Sequence, residues 1–401
     1  IGLMSFGGPA GQIALMQAEI VDKRGWVPGG SFDRGLSFAM MLPGPEAQQL
    51  ATWLGWRLHG MWGGLAAGGL FVLPGALLML LLSWLAAAGG DTALVAWIFA
   101  GVQPVVIAIV LQAMRKLAGR ALKATAAYAL AAAAFVALAL VGLPFPLIVA
   151  AAAVAGLLLD LGADTSGAEA APAPGLAAPG LAAHAGRVVG VTLALVAAVY
   201  GATRALGGAA PFDDIAILFT TAAYVSFGGA YALLPYVADR AVEAYGWLAP
   251  AEMLNGLAIA EATPGPLILV TTYAGFFAGW SAFGTPWGGF ATGSLATFYT
   301  FAPSFMLILA FAPVVERVQN VPWARRALAG VSAAVVGVIA NLAVYLAEAS
   351  FLPQGLAEPA WAKIALFAAA LYLVFGRGMG VLALVGLGAA AGVAAGALGL
   401  L

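Results

Sequence analysis

Residues 5–46 read SFGGPAGQIALMQAEIVDKRGWVPGGSFDRGLSFAMMLPGPE. Two apolar runs in this stretch are cut, at Gly7-Gly8-Pro9 and at Pro43-Gly44-Pro45, and a helix-compatible segment follows each cut. Proline suits the first turn of a helix, where its missing N–H has no intrahelical partner to lose. The stretch returns at 226–267 as SFGGAYALLPYVADRAVEAYGWLAPAEMLNGLAIAEATPGPL. An offset of 221 carries Phe6 onto Phe227, Gly7-Gly8 onto Gly228-Gly229, Trp26 onto Trp247 and Pro43-Gly44-Pro45 onto Pro264-Gly265-Pro266. After an insertion near 284–293 the offset is 229, which carries Pro74 onto Pro303 and Gly101 onto Gly330. Shared composition does not align glycine, proline and tryptophan punctuation in this way, so the chain holds an internal duplication.

The solvent of both copies follows from composition. Of 401 residues, 63% are hydrophobic and 8% charged, against about 25% charged in a soluble domain. Mean hydropathy is +1.01. So few charges cannot cover a water-facing surface, and an all-α polytopic membrane protein is expected. Full spans near the ~20 apolar residues a bilayer requires fall at about 61–87, 91–114, 123–141 and 146–159, the last one short. Further spans fall at about 188–206, 213–227, 230–247, 251–277, 288–313, 326–346, 363–375 and 379–401. Residues 9–25 form a helix, Pro28-Gly29-Gly30 a turn, and Ser31 caps a helix that Pro43-Gly44-Pro45 interrupts before it resumes from Glu46 to His59. Lys23, Arg24 and Arg34 favour a hairpin for this region, folding back to the cytoplasmic side.

Three units result: an N-terminal membrane repeat at 1–159, a cytoplasmic linker rich in Ala, Pro and Gly at 160–187, and a C-terminal repeat at 188–401 led by the span 188–206. Residues 213–225 build a helix of which the first copy keeps only 1–4, so further natural residues are expected before Ile1. No cleavable signal peptide is visible.

Several functions are excluded. Cysteine is absent, which removes disulfides and thiolate metal sites. His59 and His184 are the only histidines, too few for most zinc chemistry or for a Ser-His hydrolase. No metal, cofactor or enzymatic activity is expected. A net charge of −1 offers no basic face to nucleic acid.

The bases orient the copies. Arg115, Lys116, Arg120 and Lys123 follow the span ending at Met114, whereas in the second copy Arg317, Arg325 and Arg326 precede the matching span. Positive residues favour the cytoplasm, so the same helix points in opposite directions in the two halves. The expected fold is an inverted-topology repeat with broken or re-entrant helices, a layout shared by many secondary transporters.

A helix that begins inside a bilayer aims unpaired N–H groups and a positive dipole end at whatever cavity it faces. Each end favours an anion by roughly 0.3–2 kcal/mol, so several must converge to hold a dianion. Four starts are available, after Gly8, Gly44, Gly229 and Gly265. The expected site lies between the halves near the bilayer midplane. It comprises Ser5, Gly7, Gly8, Pro9, Pro43, Gly44, Pro45, Gln48, Gln49, Ser226, Gly228, Gly229, Thr263, Pro264, Gly265 and Pro266, with Gln12 and Thr271 as further neutral donors. The competing reading is that such breaks only kink helices.

Two carboxylates stand out. Glu46 follows Pro45 at a helix start, where a charge costs at least ~2.5–3.5 kcal/mol near the membrane centre. Ionised, it occupies the dipole end and repels a dianion; protonated, it can donate to one. Glu46 is therefore the first candidate for proton coupling, with an interfacial carboxylate as the plain alternative. Its aligned partner is Leu267. Glu261, before Thr263-Pro264, is the second candidate, with a carboxylate bonded to a neighbouring helix as its plain alternative. Asp239 and Arg240 read as an interfacial ion pair, and Arg57 and His59 as topology anchors. Trp53, Trp56 and Trp62 read as interface anchors, and Asn341 as interhelical glue.

SFGGP, MLPGPEAQQLATWLGWRLHG and LFVLPG in the first half, with SFGGAYALLPYV and EATPGPL in the second, resemble the chromate ion transporter family in its long, two-domain form. The resemblance covers essentially the whole chain. It departs at Ala230, which stands where the second Gly-Gly would be followed by proline. It implies a bacterial inner-membrane protein that exports chromate and confers resistance, driven by the proton-motive force. The implied partners are chromate or a sulfate-like oxyanion and the bilayer; a homodimer is compatible with it. Export of sulfate or molybdate and a passive anion channel stay open as alternatives, since helix-end N–H groups read only size and charge.

Overall fold

The computed structural model describes the chain except residues 5–7, 91, 160, 162–179, 209, 228–229, 316–321, 354, 356–357 and 401. Among the described residues the regular structure is helical throughout. The first half contains α1 (Gly8–Met16), which continues as a π-helical stretch Gln17–Lys23, then α2 (Gly29–Ala39) and α3 (Glu46–Gly89). After these come α4 (Ala93–Ala121), α5 (Thr125–Ala139) and α6 (Phe145–Leu158). α7 (Leu181–Gly207) leads into the second half. There α8 (Phe212–Val225), α9 (Ala230–Ala238) with its π-helical continuation Asp239–Ala244, and α10 (Pro250–Ala262) precede α11 (Val270–Phe283). α12 (Pro286–Phe311), α13 (Pro322–Phe351), α14 (Trp361–Leu371) and α15 (Val381–Ala397) complete it. Five helices, within α3, α4, α7, α12 and α13, are long and apolar enough to cross a membrane.

α3 is two limbs. His59 (φ −140°, ψ 23°) and Gly60 (φ 65°, ψ −154°) leave the helical region, and the limbs fold against each other so closely that a methyl on Gly55 would strike the Gly63 carbonyl. At about 1.5 Å per residue the limb 46–58 is roughly 20 Å long, short of the ~30 Å hydrocarbon layer. α2 is shorter still and folds back on that limb: a Cβ on Gly35 would sit inside the Trp53 ring. The pair α2 and 46–58 is thus a hairpin with Pro43-Gly44-Pro45 at its tip. α10 and α11 repeat it, with Gly256 against Tyr273 and Pro264-Gly265-Pro266 at the tip.

Ser31 does not cap α2. The helix starts at Gly29 after an extended Pro28, and the Ser31 hydroxyl accepts from Arg34 at 3.0 Å. The expected single span 251–277 is two helices, separated at Thr263 and resuming through a 3-10 turn, Leu267–Leu269. Most of the expected linker lies outside the described residues; from Leu181 onward it is already α7, and His184 there contacts the Leu309 carbonyl at 2.9 Å.

The packing refines the alignment. Gly55 meets Gly63 and Ala67, and Gly275 meets Thr292 and Ala296. These sets correspond if Thr52, Trp53 and Gly55 align with Thr272, Tyr273 and Gly275, an offset of 220. The second copy therefore drops one residue between Pro266 and Thr271, where its helix start is remade as the 3-10 turn.

Candidate functional site

The interrupted segments of opposite halves meet in pairs. The Gly44 N–H donates to the Ser226 carbonyl at 2.8 Å. Gln12, on α1 and 1% exposed, donates through Nε2 to the Gly265 carbonyl at 2.6 Å. Both glycines need their type: Gly44 has φ +117° and Gly265 φ +109°, a region side chains rarely adopt. The Ser304 hydroxyl stands beside Gly44, 3.0 Å from where a Cβ would be, and Gly75 stands beside Gly265, its Cα 3.5 Å from the equivalent point. Gly44 corresponds to Gly265 and Gly75 to Ser304, so each contact is the other with the halves exchanged. Gly64 against Leu309 and Gly293 against Leu80 exchange in the same way.

Around the first tip the side chains divide into struts and unpaired groups. Gln48 is a strut. Its Nε2 donates to Thr52 Oγ1 at 2.8 Å, and its Oε1 accepts from Ser304 at 2.6 Å, tying α3 to α12 across the halves. Gln49 donates to the Pro43 carbonyl at 2.8 Å, while its Oε1 is buried and has no partner among the described residues. The Ser226 hydroxyl is likewise buried and unpartnered. The free N–H groups at the start of 46–58 lie at the same tip, with Glu46 as the first residue of that limb.

The second tip is more closed. Thr263 hydrogen-bonds the Ala260 carbonyl at 3.2 Å and faces Met79 Sδ at 3.6 Å. Thr271 bonds the Ile268 carbonyl at 2.8 Å and accepts from Thr300 at 3.1 Å. Glu261 is 5% exposed and accepts a hydrogen bond from Tyr231.

Gly8 (φ +75°) and Pro9 form the start of α1 as expected. Ser5, Gly7, Gly228 and Gly229 lie outside the described residues. Pro43, Gly44, Pro45, Gln48, Gln49 and Ser226 come together. Thr263, Pro264, Gly265 and Pro266 form the second tip, joined to the first half through Gln12 and Gly75. The sequence reading missed Ser304, Thr52, Tyr231 and Thr300. Ser304 could have been found, since it follows Pro303, the counterpart of Pro74. A separate cavity of about 550 Å³ opens between α1 and the hairpin of α3, lined largely by Leu15, Met16, Leu54, Leu70 and Phe71. Glu19, Arg24 and Trp26 also line it. Among the described residues no group of three or more His, Asp or Glu could hold a metal.

Apolar helices of this length, wrapped around interrupted segments, define a multi-pass membrane protein. The chromate transporter family profile matches residues 1–157 and again 214–393. A chromate transport protein of Pseudomonas aeruginosa is 34% identical over 365 residues, 86% of this chain and 79% of that one. One from Cupriavidus metallidurans is 26% identical over 352 residues, 88% of this chain and 81% of that one. The chain belongs to the chromate transporter family. No solved structure matches it.

Proposed function

We propose that the protein exports chromate across the bacterial inner membrane using the proton-motive force, and that the anion is held where the interrupted helices of the two halves meet. The observation that carries this reading is the crosswise hydrogen bonding of Gly44 to Ser226 and of Gln12 to Gly265, beside a Ser226 hydroxyl buried without a partner among the described residues. An unpartnered buried polar group costs about 1–3 kcal/mol, which a fold tolerates where a ligand completes the bond. Chromate accepts hydrogen bonds and donates none. The Ser226 hydroxyl and the N–H groups of Glu46 and Ala47 are its donors. Gln49 joins them through the second Nε2 hydrogen, the first being held by the Pro43 carbonyl. Gln48 is already bonded at both ends and acts as a strut.

Glu46 competes with the substrate, because its carboxylate sits on the helix start the anion needs. A proton on Glu46 frees that start and converts a repelling group into a donor. Proton uptake and anion binding are coupled in this way, with Glu261 and Tyr231 as the second candidate. The exchange of contacts between halves supports a two-fold relation of the copies. The basic residues support placing its axis in the membrane plane: on the inverted topology all 16 Lys and Arg residues except Arg204, Arg240 and Lys363 fall on one face. On this topology the two hairpins are re-entrant.

The test is flux in proteoliposomes at two pH gradients, with sulfate, phosphate and chloride as competitors. Concentrative chromate flux that follows the proton gradient is expected. Flux that only dissipates a chromate gradient would indicate a channel, and no chromate flux would sink the reading.

A further inference from the structure

The two copies are not packed alike. α9 and α10 lie against α13. Ala232, Pro235 and Ala238, along one face of α9, are buried there, and Leu342, Ala343 and Leu346 of α13 are at most 5% exposed. Just beyond, the Tyr345 hydroxyl donates to Glu243 at 2.8 Å, linking α13 to the π-helical end of α9.

The matching surfaces of the first half are apart. Gly11, Ala14 and Gln17, the counterparts on α1, are exposed. Ala113, Met114 and Leu117, the counterparts on α4, are only half-buried. α1 and α2 pack on the π-helical stretch and on α3 instead. The correspondence is fixed on both sides. Gly25 and Gly246 end the π-helical stretches with φ +60° and +61°. On the other helix, Gly101 packs on Gly388 and Gly392 as Gly330 packs on Ala152 and Gly156. Counting along these elements, Glu243 corresponds to Asp22 and Tyr345 to Lys116. Both first-half residues are exposed, and no hydrogen bond or ion pair joins them among the described residues.

We propose that Asp22 and Lys116 are the two halves of a gate that is open in this structure, and that the partner of the exposed α1 face is α4 of the same chain. Closing docks Gly11, Ala14 and Gln17 onto Ala113, Met114 and Leu117 and forms the Asp22–Lys116 ion pair. At the other face α9 leaves α13 and the Glu243–Tyr345 bond breaks. The reason is the duplication: one sequence pattern supports both packings, so each half can take the arrangement the other now holds. Lys116 and Arg120, both exposed at the end of α4, would then stand at the open side and draw in an anion. This rests on the transport reading above, and on the inverted topology for the assignment of the open side to the cytoplasm.

The chain has no cysteine, so paired cysteines can be introduced without altering the background. Asp22→Cys with Lys116→Cys, and separately Glu243→Cys with Tyr345→Cys, are treated in proteoliposomes, with and without a chromate gradient, with a short reducible bifunctional thiol cross-linker, since a direct disulfide needs Cα atoms within about 7 Å. The 243–345 pair is expected to cross-link at rest. The 22–116 pair is expected to cross-link only during turnover, and either cross-link should stop flux until reduced. The charge swap Asp22→Lys with Lys116→Asp should restore at least half the flux that Asp22→Lys alone loses. A 22–116 pair that never cross-links while the wild-type chain transports chromate overturns the gate and leaves the transport reading standing. Simultaneous formation of both cross-links, or failure of the swap to restore flux, overturns it equally. Wild-type protein without chromate flux overturns the transport reading instead.

Discussion

Ser304→Ala isolates one bond between the halves. The Ser304 hydroxyl donates to Gln48 Oε1 at 2.6 Å, and neither side chain is more than 1% exposed. Water cannot replace the lost donor at such burial, and the Gln48 amide is held at its other end by Thr52 at 2.8 Å, so it cannot swing away. A buried acceptor left without a donor costs about 1–3 kcal/mol, a factor of about 5–150 in an equilibrium. Gln48→Leu alone strands Ser304 at similar cost. Removing both partners strands neither, so the double variant Gln48→Leu with Ser304→Ala should lose less than the sum of the two, by about 0.5–3 kcal/mol. The assay is detergent unfolding followed by the fluorescence of the 11 tryptophans, run on all four proteins. Strict additivity would show that the bond does not tie α3 to α12 and would refute the strut assignment. Chromate affinity should be less affected than stability, since both ends of the Gln48 amide are already engaged by Thr52 and Ser304.

The Ser226 hydroxyl should behave in the opposite way. Having no partner among the described residues, it can be removed as Ser226→Ala with little loss of stability, while chromate affinity falls by the roughly 1.5–3 kcal/mol of a bond to a charged group; unchanged half-saturation would remove it from the site. Gly75→Ala presses a methyl into the Pro264 carbonyl, backbone against backbone. It should cost about 1–3 kcal/mol in unfolding, whereas Gly69→Ala, with open space around it, should be silent. Glu46→Gln should leave chromate flux insensitive to the pH gradient, and Glu261→Gln should do so only if the second carboxylate carries the proton; if neither changes the pH dependence of flux, both coupling assignments fall.

The helix breaks were legible because glycine and proline enforce them locally, whatever the tertiary setting. Gly44, Gly60 and Gly265 carry the positive φ that only such punctuation foretells. The hairpin at His59 was legible for the same reason. What could not be read was which break faces which. The bond from Gly44 to Ser226 joins residues 182 positions apart, and nothing local marks it. Gln48 and Gln49 look equivalent in sequence, yet one is saturated and the other is not, because only one side chain faces Ser304. Ser31 was misread as a cap because its neighbour Pro28 already sets the extended entry into α2. The single residue dropped after Pro266 was also hidden, since apolar residues fill the positions on either side.

α7 joins the two copies, and its most apolar 18 residues include no buried side chain. It adds little to the core, and on the inverted topology proposed above its role is one of parity. On that topology the chain crosses four times between Gly60 and Leu158, and an even number returns it to the face it left. One more crossing would deliver α8 to the other face and thread the second copy upside down. Deleting α7 would therefore leave every residue of both copies intact and still abolish their pairing, because two bundles entering from the same side cannot bring their tips together head to head.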